Sequence, residues 1–352
     1  MRLVKIDKLE NDMKLAKPIY NKNQCLLTAG QKNLNQYKEK FKELGINYLY
    51  IKDEFSYDIE LKDSVSQQVR EKGIRLTNQI YSNLLDDDKE IDNQDIRNLK
   101  AYVSNMIDEI LANDKIMINM IDIKNKDNYT FAHSVNVTVL SVLLGNKVGL
   151  NRLQLEKLAL GSICHDLGKS GIPEEILKKP GKLTEEEYTI IKEHPRLGFE
   201  RLRNLSEITP TSLAIVLGHH EKLDGSGYPR GIEIDDIHLF PRITAIADVY
   251  DALSSDRIYR ERWPIDKTLS LIYNERGVHF DPELVDKFIT IMPFYPNGCK
   301  VELNDGRRAV VVSQNENKPS RPNIRILDKS RKWQEKIDLS TNKELKIQQE
   351  II

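Results

Sequence analysis

Residues 160–173 read LGSICHDLGKSGIP, and residues 219–231 read HHEKLDGSGYPRG. In the first stretch an apolar helical pattern leads into a histidine–aspartate pair. In the second, three glycines exclude a regular helix and predict a tightly turning loop. With three further residues of the same donor chemistry, the middle of the chain carries seven potential metal ligands: His133, His165, Asp166, His194, His219, His220 and Asp248.

This donor set predicts a metal centre. Imidazole nitrogens and carboxylate oxygens, with no thiolate among them, suit iron, manganese or zinc. Seven donors exceed what one ion uses, so the pattern favours two divalent ions that share a carboxylate. Asp166 is the candidate for the shared ligand because it directly follows His165, and the pair can serve both ions. Two ions roughly 3.5–4 Å apart can activate a water molecule and neutralise charge on a phosphodiester.

Both stretches resemble the HD-GYP family, a branch of the HD-domain metal phosphohydrolases. The resemblance continues through PGKLT at 180–184, DVYDAL at 248–253 and HFDP at 279–282, and it covers roughly residues 121–295. It implies a mainly α fold built on an HD-type helical bundle. The ligands implied for one ion are His133, His165 and Asp248, together with the bridging Asp166, and those implied for the other are His194, His219 and His220.

The resemblance also implies groups that act on the substrate. Lys169, beside the catalytic Asp166, is placed to contact a phosphate oxygen and to stabilise charge in the transition state. A tyrosine ring can stack on guanine, arginines can bind phosphate or guanine edges with two hydrogen bonds, and an aspartate can orient the arginines or the attacking water. The residues implied for these roles are Tyr228, Asp251, Arg257 and Arg260. Purely structural roles, such as a helix-end cation or a packing anchor, stay open.

One position departs from the family pattern. Family members that hold three metals have a glutamate four residues before the first ligand histidine, and this chain has Tyr129 there. A phenol whose pKa is near 10 is a poor ligand for a hard metal. Asp122 and Asp127 are nearby but at the wrong helical phase to replace the glutamate. We therefore expect two metal ions per chain, iron or manganese first and zinc as an alternative.

Composition excludes several classes of function. The 53 basic and 54 acidic residues give a formal charge of −1, so no global field attracts DNA or RNA. The longest apolar stretches, at 137–144 and 213–217, are far shorter than the roughly 18–20 residues of a membrane span. The N-terminus lacks the apolar core of a signal peptide. Three distant cysteines argue against a disulfide framework. These features predict a soluble, cytoplasmic protein.

The remaining segments divide the chain into four parts. Residues 1–57 predict a small α/β module, structural or dimerising by default, and 58–120 predict a helical connector that packs on the catalytic domain or, alternatively, pairs in a homodimer. Residues 121–295 form the predicted catalytic domain. In 296–352, two strands flanking Asn304-Asp305-Gly306 predict a small β appendage without chemistry of its own.

The function implied by the resemblance is hydrolysis of cyclic-di-GMP to linear pGpG by a metal-activated hydroxide, with slow further cleavage to GMP left open. Another cyclic dinucleotide, such as the mixed GMP–AMP ring, is the alternative substrate. A receptor that binds the nucleotide or a partner without catalysis is the rival from another class. The retained ligands and the Gly-Tyr-Pro sequence favour the enzyme, because degenerate members typically lose one or the other.

Overall fold

The computed structural model describes residues 1–21, 24–60, 63–85, 91–112, 129–255, 262–315, 318–327 and 335–351. Helices make up about half of the described residues, and small sheets flank them in sequence on both sides. The prediction of a mainly α protein with an N-terminal α/β part and a C-terminal β part is therefore confirmed. None of the helices within these ranges has the length and apolar character needed to cross a bilayer.

The N-terminal part combines short strands with one helix. The elements of this part are β1 (Arg2–Lys5), β2 (Lys14–Leu15), β3 (Ile19–Asn21), β4 (Gln24–Leu27), α1 (Lys38–Glu43) and β5 (Tyr48–Lys52). A three-stranded sheet has the order β1-β5-β2, and β3 and β4 form a separate hairpin. The helix expected from Asn33 to Leu44 begins instead as a 3-10 turn, because Asn33 has a φ of +55°. Gly45 follows that helix with a φ of +71°, as its position predicted.

Two long helices, α2 (Gln67–Leu84) and α3 (Asn93–Ala112), precede the bundle. The hydroxyl of Ser66 caps α2 by accepting from the backbone N–H of Val69 at 3.4 Å. Apolar side chains of both helices share one continuous core with helices of the following bundle. The connector thus packs on the bundle. The acidic run 86–88, interpreted as a solvated loop, lies outside the described residues.

The bundle contains nine helices within residues 129–255 and 262–291: α4 (Tyr129–Lys147), α5 (Arg152–Cys164), α6 (Glu174–Leu177), α7 (Glu185–Ile191), α8 (His194–Leu202), α9 (Pro210–Gly218), α10 (Leu239–Ser254), α11 (Ile265–Asn274) and α12 (Pro282–Ile291). Helix α4 lies at the centre. Val135 and Val139 face the core shared with the connector, while Val137 and Leu140 face a second core formed with α10, α11 and α12. A helix that is apolar on both sides is buried all round.

Three predicted helix boundaries were wrong. His165 and Asp166 were expected inside one helix, but α5 ends at Cys164 and a 3-10 turn follows from Leu167. The capping-box pattern of Thr184 and Glu187 predicts one helix that carries His194, but that helix ends at Ile191, and His194 starts a new one. The Pro195 ring has no N–H to continue the earlier helix. Finally, Pro241 is predicted to be the first residue of its helix, but α10 begins two residues earlier, at Leu239.

The C-terminal part is an antiparallel sheet of order β10-β6-β7-β8-β9. Its strands are β6 (Lys300–Leu303), β7 (Arg308–Ser313), β8 (Asn323–Ile326), β9 (Lys336–Asp338) and β10 (Ile347–Ile351). The predicted hairpin turn contains Gly306 at a φ of +83°. This sheet also contacts the N-terminal part. The guanidinium of Arg325 binds both carboxylate oxygens of Asp58, at 2.7 and 2.6 Å.

Candidate metal centre

The seven predicted ligands converge on one buried place between the helices. His133 lies one turn into α4, and Asp248 lies on α10. The others sit at helix ends: His165 caps the end of α5, His194 begins α8, and His219 caps the end of α9. Helix ends suit this purpose because their side chains can enter a shared cavity without a full helix passing through it.

Three of the histidines are held by hydrogen bonds from their Nδ1 atoms to backbone carbonyls. Nδ1 of His165 contacts the carbonyl of Ser162 at 2.7 Å, and Nδ1 of His194 contacts that of Ile191 at 2.8 Å. The Nδ1 of His219 likewise reaches carbonyl oxygens of α9. A carbonyl oxygen only accepts, so these Nδ1 atoms carry the proton and each Nε2 presents its lone pair to the centre. Metal-binding histidines are commonly fixed in this way.

Asp166 lies between two groups of histidines. Its Oδ2 is 3.4 Å from Nε2 of His165 and 3.8 Å from Nε2 of His133. Its Oδ1 is 3.4 Å from Nε2 of His194, which is itself 3.3 Å from Nε2 of His219. Each carboxylate oxygen therefore faces a different side of the centre.

Three sets of donor atoms lie close enough together to hold an ion, each within 4.8 Å: His194 with His219 and His220, His133 with His165 and Asp166, and His165 with His219 and Asp248. Two of the buried donor atoms, Nε2 of His165 and Oδ1 of Asp166, have no hydrogen-bond partner among the described residues. Buried polar atoms of this kind need a partner, and a cation supplies one. The residues thus fit a divalent metal.

The imidazoles are mostly neutral. Burial lowers the pKa of His194 to about 3 and that of His220 to about 4, and it holds the pKa of His219 well below its usual range. His133 differs. Its burial lowers the pKa, but hydrogen bonds to Asp248 and Asp251 outweigh that effect and raise the pKa to about 9. Neutral imidazoles are the form that binds metals.

The two carboxylates are ionised. Burial alone would raise the pKa of Asp166, but the charge of Lys169, whose Nζ is 2.6 Å from Oδ2, holds it well below the usual range. The pKa of Asp248 is lowered likewise, because its hydrogen bond with His133, at 3.0 Å, outweighs its burial. Two anions beside imidazoles that are mostly neutral make the centre attractive to a cation.

Lys169 is close to this centre. It lies in the 3-10 turn after α5, and its Nζ forms an ion pair with Oδ2 of Asp166 at 2.6 Å. Lys169 also lies in the last turn of this 3-10 helix, so the alternative role, a cation at the end of a helix, stays open. Gly168 allows the turn to approach α8 closely, since a Cβ there would lie 1.9 Å from the carbonyl oxygen of His194.

The Gly-Tyr-Pro loop passes beside the histidines. The ring of Tyr228 stacks on His220, with centroids 4.6 Å apart and planes at 28°. The sequence did not suggest Glu221, whose buried carboxylate accepts the backbone N–H groups of Arg230 at 2.8 Å and Ile232 at 3.2 Å. Its position directly after the histidine pair could have identified it. Glu221 closes the loop so that Tyr228 faces the centre.

Asp251 has contacts other than the expected ones. Its Oδ2 accepts from Nδ1 of His133 at 2.7 Å, and its Oδ1 accepts from Asn136 at 2.9 Å and from Ser255 at 3.2 Å. The aspartate is 2% exposed. These contacts show that Asp251 holds His133. The prediction that it also orients arginines or water stays a prediction, because Arg257 and Arg260 lie outside the described residues. Asn136 was missed, although its spacing of three residues from His133 places both on one helix face.

Other predicted residues cannot be placed in the same way. Arg257 and Arg260 lie outside the described residues, as do Asp122 and Asp127. Tyr129 begins α4, one helical turn before His133, but its side chain is also outside the described part. Their roles stay predictions.

Comparisons with known proteins agree with this geometry. Residues 115–284 match the model of the HD domain, and residues 300–352 match that of the KOW domain associated with the HD domain. A cyclic di-GMP phosphodiesterase of Pseudomonas aeruginosa is 33% identical over 235 residues, which cover 66% of this chain and 56% of that protein. The 3'3'-cGAMP-specific phosphodiesterase 2 of Vibrio cholerae is 35% identical over 201 residues, covering 54% of this chain and 38% of that protein. The chain thus spans only about half or less of these relatives' length.

Among solved structures, an HDG"Y"P protein from Bdellovibrio bacteriovorus superposes with a TM-score of 0.55 at 17% identity, over 81% of this chain and 97% of that one. At this identity the likeness concerns the fold, and it supports the HD-type bundle with its flanking parts. Together with the family matches, it confirms the recognition made from the histidine–aspartate and Gly-Tyr-Pro stretches: both lie in an HD domain at residues 115–284, which a KOW domain associated with the HD domain follows at residues 300–352.

Proposed function

We propose that this protein is a metal-dependent phosphodiesterase that hydrolyses cyclic-di-GMP to linear pGpG. The observation that carries the proposal is the carboxylate of Asp166, whose two oxygens face different groups of imidazoles at a buried centre. A shared carboxylate between two sets of donors is the arrangement that binuclear phosphoesterases require. The names of the relatives favour a cyclic dinucleotide as substrate.

We infer two divalent ions per chain, iron or manganese, with zinc as an alternative. The first would be held by His133, His165 and Asp248, the second by His194, His219 and His220, with Asp166 shared by both. When bound, the ions would supply a water molecule that ionises near neutral pH and positive charge against the phosphate.

The chain's own residues would position the substrate. The ammonium of Lys169 lies beside Asp166 and is about a quarter exposed, so it can reach a phosphate oxygen at the centre. Tyr228 presents its ring on the loop that Glu221 closes, and it can stack on a base. Arg257 and Arg260 are proposed to bind phosphate or guanine edges. The protein would act in the cytoplasm on the free nucleotide, without DNA, RNA or a membrane as partner.

The mixed GMP–AMP ring is the second candidate substrate, because a relative of similar identity carries that specificity in its name. Both rings have two 3′–5′ phosphodiester bonds and differ at one base. The metal centre therefore does not discriminate between them, and the base contacts must. A receptor without catalysis is disfavoured, since such a protein needs neither the seven donors nor their shared carboxylate.

The test uses full-length protein purified without air, stripped of metal and reloaded with Mn²⁺ or Fe²⁺. Metal per chain is measured by mass spectrometry, and products from cyclic-di-GMP and from the mixed ring are separated by chromatography. We expect two ions per chain and release mainly of pGpG. Asp166→Ala should abolish metal binding and turnover while the helical circular dichroism stays unchanged. Nucleotide binding without hydrolysis in the loaded protein would favour the receptor instead.

A further inference from the structure

A chain of buried hydrogen bonds connects the metal centre to a helix outside the matched HD domain. Nη1 of Arg70, on α2, donates to Oδ1 of Asn136 at 2.7 Å. Nδ2 of Asn136 donates to Oδ1 of Asp251 at 2.9 Å, and Oδ2 of Asp251 accepts from Nδ1 of His133 at 2.7 Å. All four residues are at least nine-tenths buried. The HD-domain match begins at residue 115, so Arg70 comes from the connector.

The donor and acceptor groups of these residues fix the direction of each hydrogen bond. A guanidinium only donates and an ionised carboxylate only accepts. The amide of Asn136 stands between them, so its oxygen must face Arg70 and its nitrogen must face Asp251. The carboxylate is then held in one orientation by the amide on one oxygen and by the imidazole on the other. This in turn sets the ring of His133, whose Nε2 faces the centre.

The packing of α2 makes the contact possible. Gly73, one turn after Arg70, lets α2 approach α4 closely, because a Cβ at Gly73 would lie 2.9 Å from Cγ2 of Val135. Tyr102 of α3 covers the same glycine. A buried guanidinium is costly unless its donors are used, and the oxygen of Asn136 uses one of them. The close packing of the connector therefore places the guanidinium of Arg70 against Asn136.

We propose that Arg70 and Asn136 are positioning residues of the metal centre, and that docking of the connector helix α2 sets its affinity for metal. They act through Asp251 on His133 and contact neither metal nor substrate. The inference rests on the proposed function in one respect, that the centre binds a divalent cation. Supporting groups of this kind typically contribute about 10–100-fold to metal affinity.

The test is titration of metal-free, full-length protein with MnCl₂ by calorimetry, without substrate. Arg70→Met and Asn136→Leu should each weaken Mn²⁺ binding about 10-fold or more, and the double variant no more than the stronger single one, because residues in one network do not add. Arg70→Lys, which keeps a donor, should lose less. Arg152→Met is the matched control. This arginine also joins the connector to the bundle, through Ser104 at 2.7 Å, but it takes no part in the hydrogen bonds from Arg70 to His133. The Mn²⁺ affinity of this variant should not change.

A second readout separates positioning from folding. In the hydrolysis assay, excess Mn²⁺ should restore kcat of Arg70→Met to within about 3-fold of the unmodified protein, with the KM for the nucleotide unchanged. A variant that is merely misfolded would not be rescued by metal, and that result overturns the proposal, as does an unchanged Mn²⁺ affinity in Arg70→Met and Asn136→Leu. Failure of the unmodified protein to bind Mn²⁺ would instead refute the proposed function.

Discussion

The ammonium of Lys169 lies 2.6 Å from Oδ2 of Asp166, the oxygen that also faces His165 and His133. An ammonium and a metal ion compete for the same carboxylate oxygen. Lys169 is therefore placed where it can exchange its contact with the carboxylate for one with a phosphate oxygen. This relationship distinguishes Lys169 from the predicted metal ligands around it. A contact with substrate and a contribution to metal binding can therefore be tested separately.

Lys169→Ala should lower kcat/KM for cyclic-di-GMP by about 10²-fold, comparable to the loss of one donor to a developing oxyanion. Metal content should be unchanged and Mn²⁺ affinity equal or slightly tighter, because the competing cation has gone. Steady-state kinetics and calorimetry measure the two effects. Lys178→Ala is the control, since Lys178 forms an exposed ion pair with Glu174 away from the centre. A change of less than about 2-fold in Lys169→Ala would return this lysine to a structural role.

Gly227→Ala should damage substrate binding more than metal binding. A Cβ at Gly227 would lie 2.3 Å from the backbone nitrogen of Lys222 and 2.6 Å from the carbonyl oxygen of His220, so the loop must move. Tyr228 then loses its stacking on His220. We expect a KM for the nucleotide raised about 10-fold or more, with two metal ions still bound.

Gly218→Ala provides the comparison for this loop variant. It lies one residue before His219, but an added Cβ would make only ordinary contacts, the nearest at 3.6 Å. Its KM should stay within about 2-fold of the unmodified protein. Equal effects of the two substitutions would contradict the idea that the loop's close approach positions Tyr228.

The sequence predicted which residues form this cluster of donors better than it predicted the helix ends and supporting contacts around them. Imidazoles and carboxylates are the side chains that such metals require, so their identity carries the information without a structure. The helix ends at Cys164 and Ile191 were missed because the next glycine or proline stands four residues later in each case, at Gly168 and Pro195. The contact of Arg70 with Asn136 could not be predicted for another reason. The two residues are 66 positions apart in the sequence, and the packing that brings them together leaves no local sequence pattern.

The ion pair between Asp58 and Arg325 should be lost in acid. The hydrogen bonds from Arg325 lower the pKa of Asp58 to about 2, with Lys336 contributing at 3.4 Å. Since this pKa is below the unfolded value near 4, the carboxylate stabilises the fold fully above about pH 4, and the contribution disappears as the pH falls toward 2. With Asp58 about 30% exposed, we expect roughly 1–2 kcal/mol at pH 7.

Thermal unfolding of the unmodified protein and of Asp58→Asn, followed by circular dichroism at pH 7, 4 and 3, measures this contribution. The variant should melt at a lower temperature at pH 7, and the difference should shrink at pH 3. Asp63→Asn is the control, because Asp63 is about as exposed as Asp58 but its partner, Lys17, does not bind both carboxylate oxygens as Arg325 does. A difference in melting temperature that is independent of pH would show that the ion pair does not carry the effect.

Tyr129 leads to the prediction about product. Tyr129 stands one helical turn before His133 at the start of α4, where three-metal family members have a glutamate. Without that carboxylate the protein should bind two ions and release mainly pGpG, because a two-metal centre holds the more mobile linear dinucleotide less firmly. Tyr129→Glu supplies an oxygen donor at this position and should recruit a third ion, with more GMP formed. Tyr129→Gln, which lacks the charge, should leave both the metal count and the product ratio unchanged. Anomalous scattering and product chromatography measure the two quantities, and three fully occupied metals in the unmodified protein would refute the binuclear assignment.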